Sequence, residues 1–159
     1  MNIRPATPGD LGFCHMCARH FIASTRYTLQ YDAEKSQRSF WTYITDPNRT
    51  LLIAEEGATP IGGVMLACSY EFTVQPFCYL IKLFVLPEAR GSAASRLLLS
   101  STEDWARQMN CSHVFANAGA AISRDLDTIA GNLYRRVGFS DAGDAFVLPL
   151  SQTQEERKT

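Results

Sequence analysis

Every residue from Phe77 to Leu86 is apolar or aromatic except Lys82. The run is too short for a bilayer span, which needs roughly 18–20 residues. Its branched and aromatic content suits a strand at the centre of a sheet. Pro87-Glu88-Ala89-Arg90-Gly91 then reads as a loop, and Ser92 to about Met109 as a helix. Leu97, Leu98, Trp105 and Met109 fall on or near one face of that helix. A buried strand passing through a tight turn into an amphipathic helix demands a sheet with at least one helical layer.

The flanking sequence supplies the rest of such a domain. Ile3-Arg4 begins a short strand, and Thr7-Pro8-Gly9-Asp10 opens a helix running to about Ala23. Thr7 suits the N-cap, Pro8 the first helical position and Asp10 the third. Phe13, Cys17 and Phe21 recur at helical spacing. Asp32 caps a second helix that ends at about Thr45, before Asp46-Pro47-Asn48. Leu51 to Ala54 and Ile61 to Phe72 form a hairpin around the polar turn Glu55 to Pro60. Cys111 to Ala116 is a strand, and Asn117 to Arg124 a loop of small residues. A helix from about Asp125 to Val137 stops at Gly138, and Phe139-Ser140 and a strand at Ala145 to Leu150 close the chain. The order is β-α-α-β-β-β-α-β-α-β-β, a mixed α/β (α+β) arrangement. Residues 1–150 make one domain and 151–159 a polar tail.

Net charge is −1, without the basic excess of a non-specific nucleic-acid binder, so nucleic acid is not an expected partner. Met1-Asn2-Ile3-Arg4-Pro5 has no apolar signal segment, and no membrane span is present, so a cytoplasmic location is expected. The five cysteines, Cys14, Cys17, Cys68, Cys78 and Cys111, are then expected as reduced thiols. Cys14-His15-Met16-Cys17 has two readings, a zinc ligand set or small soft residues on a helix. No second Cys pair follows at finger spacing, and no metal is expected.

Two segments carry chemistry. In Leu86 to Leu98, small residues lead into a helix start whose first N–H groups lack internal partners. The helix dipole adds positive potential, as do Arg90 and Arg96. The segment reads either as a phosphate cradle or as an ordinary βα turn. In Asn132-Leu133-Tyr134-Arg135-Arg136-Val137-Gly138-Phe139, Tyr134 is either a core residue or a phenol offered to a ligand.

In this order and spacing, the two segments and the opening Ile3 to Leu11 resemble the GNAT superfamily of acyl-CoA-dependent N-acyltransferases. The resemblance runs from about Ile3 to Leu150. It implies a mostly antiparallel sheet flanked by helices, with acetyl-CoA or another acyl-CoA as cosubstrate. It implies an acetyl or short acyl group passed to a primary amine on a small molecule or protein, and is compatible with a homodimer. Arg90, Gly91, Ser92, Ala93, Ala94, Ser95 and Arg96 would hold the pyrophosphate. Leu83, Phe84 and Val85 would pair with the pantetheine arm, and Asn132 would hold it by a side-chain hydrogen bond. The Val85 N–H would polarise the thioester, and Tyr134 would protonate the departing thiolate.

Three positions depart from the family's pattern. Ala93 and Ser95 stand where glycines or alanine are usual, Asp127 stands where many relatives have Asn, and the central strand has no acidic residue. Candidates for the base are Glu71, Tyr79 and His113, with water as another route. Lys82 either snorkels or faces an acidic acceptor or a CoA phosphate. The aromatic residues Phe21, Tyr27, Tyr31, Phe40, Trp41 and Tyr43 either pack between helix and sheet or build an acceptor pocket. Two other functions fit the same residues: a non-catalytic acyl-CoA-binding module, and a relative that modifies a nucleobase.

Overall fold

The computed structural model describes residues 1–25, 29–71, 73–118 and 124–143. One sheet contains β1 (Asn2–Pro5), β2 (Arg49–Glu56), β3 (Thr59–Ser69), β4 (Phe77–Val85) and β5 (His113–Ala116), in that order. The first four strands are antiparallel, and β5 lies parallel to β4. Helices α1 (Leu11–Ser24) and α2 (Ala33–Thr45) follow β1. Helix α3 (Ala94–Gln108) links β4 to β5, and α4 (Arg124–Arg136) follows β5. This is the mixed α/β order expected from the sequence as far as α4. Phe139 and Ser140 are not in a strand. Phe72, the Ala145 to Leu150 strand and the polar tail fall outside the described residues.

Alternation along the strands sorts two cores onto the two faces of the sheet. Leu52, Ala54, Val64, Leu66, Cys78 and Leu80 face α3, with Leu98, Leu99, Ala106 and Tyr134 in the same cluster. Leu51 and Ile53 face α1 and α2, against Cys14, Phe40 and Tyr43. Both faces of β2 are therefore covered, which explains its unbroken apolar run Leu51 to Ala54. Phe77 to Leu86, expected to suit the sheet centre, supplies an interior strand with a neighbour on each side over Phe77 to Leu80. Among the described strands β3 is central, and β4 lies between β3 and β5. Cys78 and Leu80 on β4 are buried, whereas Tyr79, Ile81 and Lys82 are exposed.

A bulge divides β4. Leu80 pairs with Leu66 and Lys82 with Met65, so Ile81 is an extra residue with no partner. In a regular strand of the same sequence, Lys82 would share the inner face with Cys78 and Leu80. With the bulge, Leu83 and Val85 pack on the α3 core, and Lys82 turns to the α1 and α2 side.

At the other end of the sheet, Arg4 holds the start of the helical layer. Its guanidinium donates to both Asp10 oxygens at 2.8 Å and to Glu55 Oε1 at 2.5 Å. Thr7 N–H and Oγ1 donate to Asp10 Oδ2 at 2.7 and 2.9 Å. The buried Asp10 is thereby satisfied, and the Arg4 and Thr7 hydrogen bonds lower its pKa from 3.8 to about 2. A depressed carboxylate pKa stabilises the fold fully above the unfolded value and loses that contribution as pH falls through the folded one. Urea unfolding should therefore show stability falling between about pH 4 and pH 2, by roughly 2 kcal/mol from this group. Asp10→Asn should flatten that acid limb; an unchanged limb would remove Asp10 from the account.

Candidate active site

Strand β5 pairs with β4 only from Phe77 to Leu80. From Ile81 to Val85, β4 keeps β3 on one side and has no strand on the other among the described residues. The Leu86 N–H donates to the Ile61 carbonyl at 2.9 Å. Antiparallel partners alternate, so Phe84 and Lys82 also face β3, and Leu83 and Val85 turn their N–H and C=O groups outward. The Val85 carbonyl accordingly accepts from Arg90 Nε, at 3.4 Å. The structure thus places Leu83 and Val85 as backbone donors on one open edge and turns Phe84 away from it.

The loop after β4 is set by its own hydrogen bonds. Ala89 N–H donates to Leu86 O, Arg90 N–H to Pro87 O, and Ser92 N–H to Ala89 O. Gly91 has φ +86°, a conformation that residues with a Cβ rarely adopt. Ser92 Oγ accepts the Ala94 N–H at 3.2 Å, which moves the start of α3 two residues past the expected Ser92. The first full helical bond runs from Leu97 N–H to Ala93 O. Three of the expected donors, Arg90, Ser92 and Ala94, are therefore consumed locally. Among the described residues, the N–H groups of Gly91, Ala93, Ser95 and Arg96 have no acceptor. Ala94 is fully buried, which explains a small residue at the helix start. This donor set, at the positive end of a 15-residue helix and flanked by two arginines, fits a phosphate group.

Tyr134 sits in the last turn of α4, buried in the α3-side core. The helix ends in a Schellman motif: Gly138 N–H donates to Arg135 O, and Phe139 N–H to Tyr134 O. Gly138 adopts φ +100°, and the Phe139 ring lies 5.4 Å from the Tyr134 ring. The Gly-Phe pair seen in the sequence is thus the device that stops α4 and braces the Tyr134 ring. Among the described residues the phenol has no hydrogen-bond partner, and burial raises its pKa to about 12. It is therefore a neutral proton donor at physiological pH. Asn132 lies about 200° around α4 from Tyr134. It is exposed, with Oδ1 accepting from Arg135 Nη1 at 3.3 Å. The structure does not bring it to the Tyr134 face.

The three base candidates gather toward the start of β4. His113 pairs in register with Phe77, eight residues before Val85, and its ring packs near Phe77 and Phe115. Tyr79 stacks on Phe115 at 5.6 Å, and Glu71 shares a cleft with Tyr79, Ile81 and Arg49. Among the aromatic residues of the helical layer, Phe21, Phe40 and Tyr43 line a cavity of about 410 Å³ between α1, α2 and the sheet. Its floor includes Ile81, Lys82, Leu83 and Phe84 of β4. Trp41 is half exposed, outside this lining. Tyr27 falls outside the described residues. Three of the six aromatic residues considered for a pocket thus line this cavity, while the bulge that turns Lys82 toward it has no signature in an apolar run.

The sequence matches the acetyltransferase (GNAT) family over residues 18–139. No curated protein matches it. Among solved structures, an aminoglycoside 6'-N-acetyltransferase from Acinetobacter haemolyticus is 18% identical, with TM-score 0.74 over 96% of this chain and 100% of that one. AAC(6')-Iy bound to a bisubstrate analogue containing CoA is 15% identical, with TM-score 0.75 over 93% and 96% of the two chains. A ribosomal-protein-alanine N-acetyltransferase from Brucella melitensis biovar Abortus is 14% identical, with TM-score 0.71 over 94% and 100%. The fold is that of these N-acetyltransferases. The chain belongs to the acetyltransferase (GNAT) family, and so to the acetyl-CoA-dependent N-acyltransferases.

An alanine Cβ at Gly138 would meet no atom within 4 Å, so its cost lies in the backbone alone. Gly138→Ala should lower stability by about 1–2 kcal/mol. Because the Schellman turn braces Tyr134, the near-ultraviolet tyrosine signal should change as well. A variant as stable as the parent, with an unchanged signal, would show that the turn does not hold the ring.

Proposed function

We propose that the protein transfers an acetyl or other short acyl group from acyl-CoA to a primary amine, by direct attack in a ternary complex. The observation that supports this most is the succession of two donor sets at one end of β4. Outward N–H groups at Leu83 and Val85 are followed, within the next loop, by unbonded N–H groups at Gly91, Ala93, Ser95 and Arg96. An extended chain of amides ending in a diphosphate matches that sequence of donors.

In this reading the loop donors, the α3 dipole, Arg90 and Arg96 hold the pyrophosphate. The open edge at Leu83 and Val85 takes up the amide-bearing arm as a sheet edge takes up a strand. The thioester supplies the acyl carbon and a thiolate leaving group. The Val85 N–H donates to the thioester oxygen as negative charge develops there. The amine attacks in its neutral form and yields its proton to water; a C–N bond forms and the C–S bond breaks. Tyr134 passes its phenolic proton to the departing sulfur. Asn132 has no part in these steps, since it lies on the other face of α4. The acceptors named for the structural neighbours, aminoglycosides and a ribosomal-protein alanine, support an amine on a small molecule or protein. A non-catalytic acyl-CoA-binding role is the alternative, favoured by the absence of a carboxylate from β4.

Calorimetry should show acetyl-CoA binding. Ala93→Glu, which sets a negative side chain among the loop donors, should weaken it at least tenfold. No binding at millimolar acetyl-CoA would overturn the cosubstrate assignment. Tyr134→Phe keeps the ring and removes the proton. It should lower turnover of an accepted amine by roughly 100–10,000-fold, with acetyl-CoA affinity nearly kept. Turnover at the parental rate, with chemistry limiting, would make Tyr134 a packing residue.

A further inference from the structure

The acyl-transfer reading leaves the cavity between α1, α2 and β4 unassigned, along with the lysine in its wall. The lining is apolar apart from Lys82, two serines, two cysteines and a tyrosine hydroxyl, and contains no carboxylate. Among the described residues Lys82 has no ion-pair partner; its Nζ lies 4.1 Å from the centroid of the Phe21 ring. Among the described residues, none of the packed elements supplies a counter-ion: on β2, Glu55 is paired with Arg4, and Glu56 is exposed and does not line the cavity. Helix α1 and strands β3 and β4 contain no Asp or Glu. On α2, Glu34 is paired with Arg38, and the capping Asp32 with Lys35. Arg19 and His20 on α1 add only positive or neutral groups. The apolar surroundings also disfavour the Lys82 charge, lowering its pKa. Lys82 is at once exposed and part of this apolar wall, so an anion brought from outside can reach it and offset its partial desolvation.

Size and position narrow the anion's carrier. A cavity of about 410 Å³ is in the range of small-molecule sites. Lys82 lies three residues before Val85, about 10 Å along the strand. A ligand tied to Lys82 therefore lies beside the open β4 edge, with its far end near the proposed thioester position. A polycationic amine meets Lys82 with no carboxylate to receive it.

We propose that this cavity holds an acyl acceptor with an apolar body and a single carboxylate, and that Lys82 binds that carboxylate. The role as acceptor rests on the acyl-transfer reading; the binding site itself does not.

The test uses two product-like probes that differ by one group: N-acetyl-phenylalanine and N-(2-phenylethyl)acetamide. Titration calorimetry is run on the full chain, with and without CoA, for the parent and for Lys82→Met, which keeps volume and removes charge. The parent should bind the carboxylate probe at least tenfold more tightly, and Lys82→Met should bring the two affinities together. Equal affinities in the parent, binding of neither probe, or a preference that survives Lys82→Met would each overturn the proposal. The parental comparison needs no variant to fold. Carboxylate preference without CoA binding would sink the acyl-transfer reading and leave the Lys82 site standing. CoA binding and amine turnover with no carboxylate preference would do the reverse.

Discussion

Past Leu80, strand β4 has a backbone neighbour on one side only, and the arrangement of the site follows from that open ladder. Outward amides inside a folded domain cost free energy unless something completes them. Here the Val85 carbonyl is met by Arg90, which ties the start of the phosphate-type loop to the strand before it. The amides of Leu83 and Val85 stay available on the same edge. The Ile81 bulge is part of the same constraint, because it falls where the β5 pairing ends. It puts Leu83 and Val85 into the α3 core while their amides look out along the edge. One irregularity therefore separates where these residues pack from where they donate.

Helix ends were the most legible part of the sequence, since capping is local chemistry. The carboxylate of Asp32 accepts the Lys35 N–H as its position suggests, and Thr7 and Asp10 close the turn before α1. Gly138 stops α4 with a left-handed residue. The hairpin and the strand-loop-helix unit were legible as well, because their apolar periods and turn residues agree. Three things were hidden. Ile81 and Leu83 flank Lys82 with equal hydrophobicity, so no pattern marks which residue lacks a partner. The loop donors could be counted from the sequence, but not which are consumed by Ser92 Oγ and the preceding carbonyls. The run Phe77 to Leu86 says that a strand is apolar, but not that α1 and α2 cover its neighbours and leave one of its faces open. Asn132 is different: two residues from Tyr134 is another face of a helix, and that arithmetic was available from the start.

The titratable groups divide by environment. Burial holds Tyr134 protonated and pushes Cys14 up to about 11 and Cys17 and Cys78 up to about 12. Thiols this reluctant to ionise are poor nucleophiles and act as small apolar residues. Cys68 and Cys111, with sulfurs 3.3 Å apart, join the end of β3 to the turn after α3. The cysteines of this chain serve packing rather than nucleophilic chemistry.

The bulge also makes the character of two compartments a matter of counting. Side chains on β4 alternate in one phase through Leu80 and in the opposite phase from Lys82 onward. Drawing Ile81 into the ladder, with every letter of the strand unchanged, would send the lysine inward among Cys78 and Leu80. Leu83 and Val85 would move out into the cavity. A related chain in which this residue is paired would match this sequence closely and still carry an uncharged pocket and a charged interior. For tracing acceptor preference among such chains, the pairing register of this strand is therefore as informative as its composition.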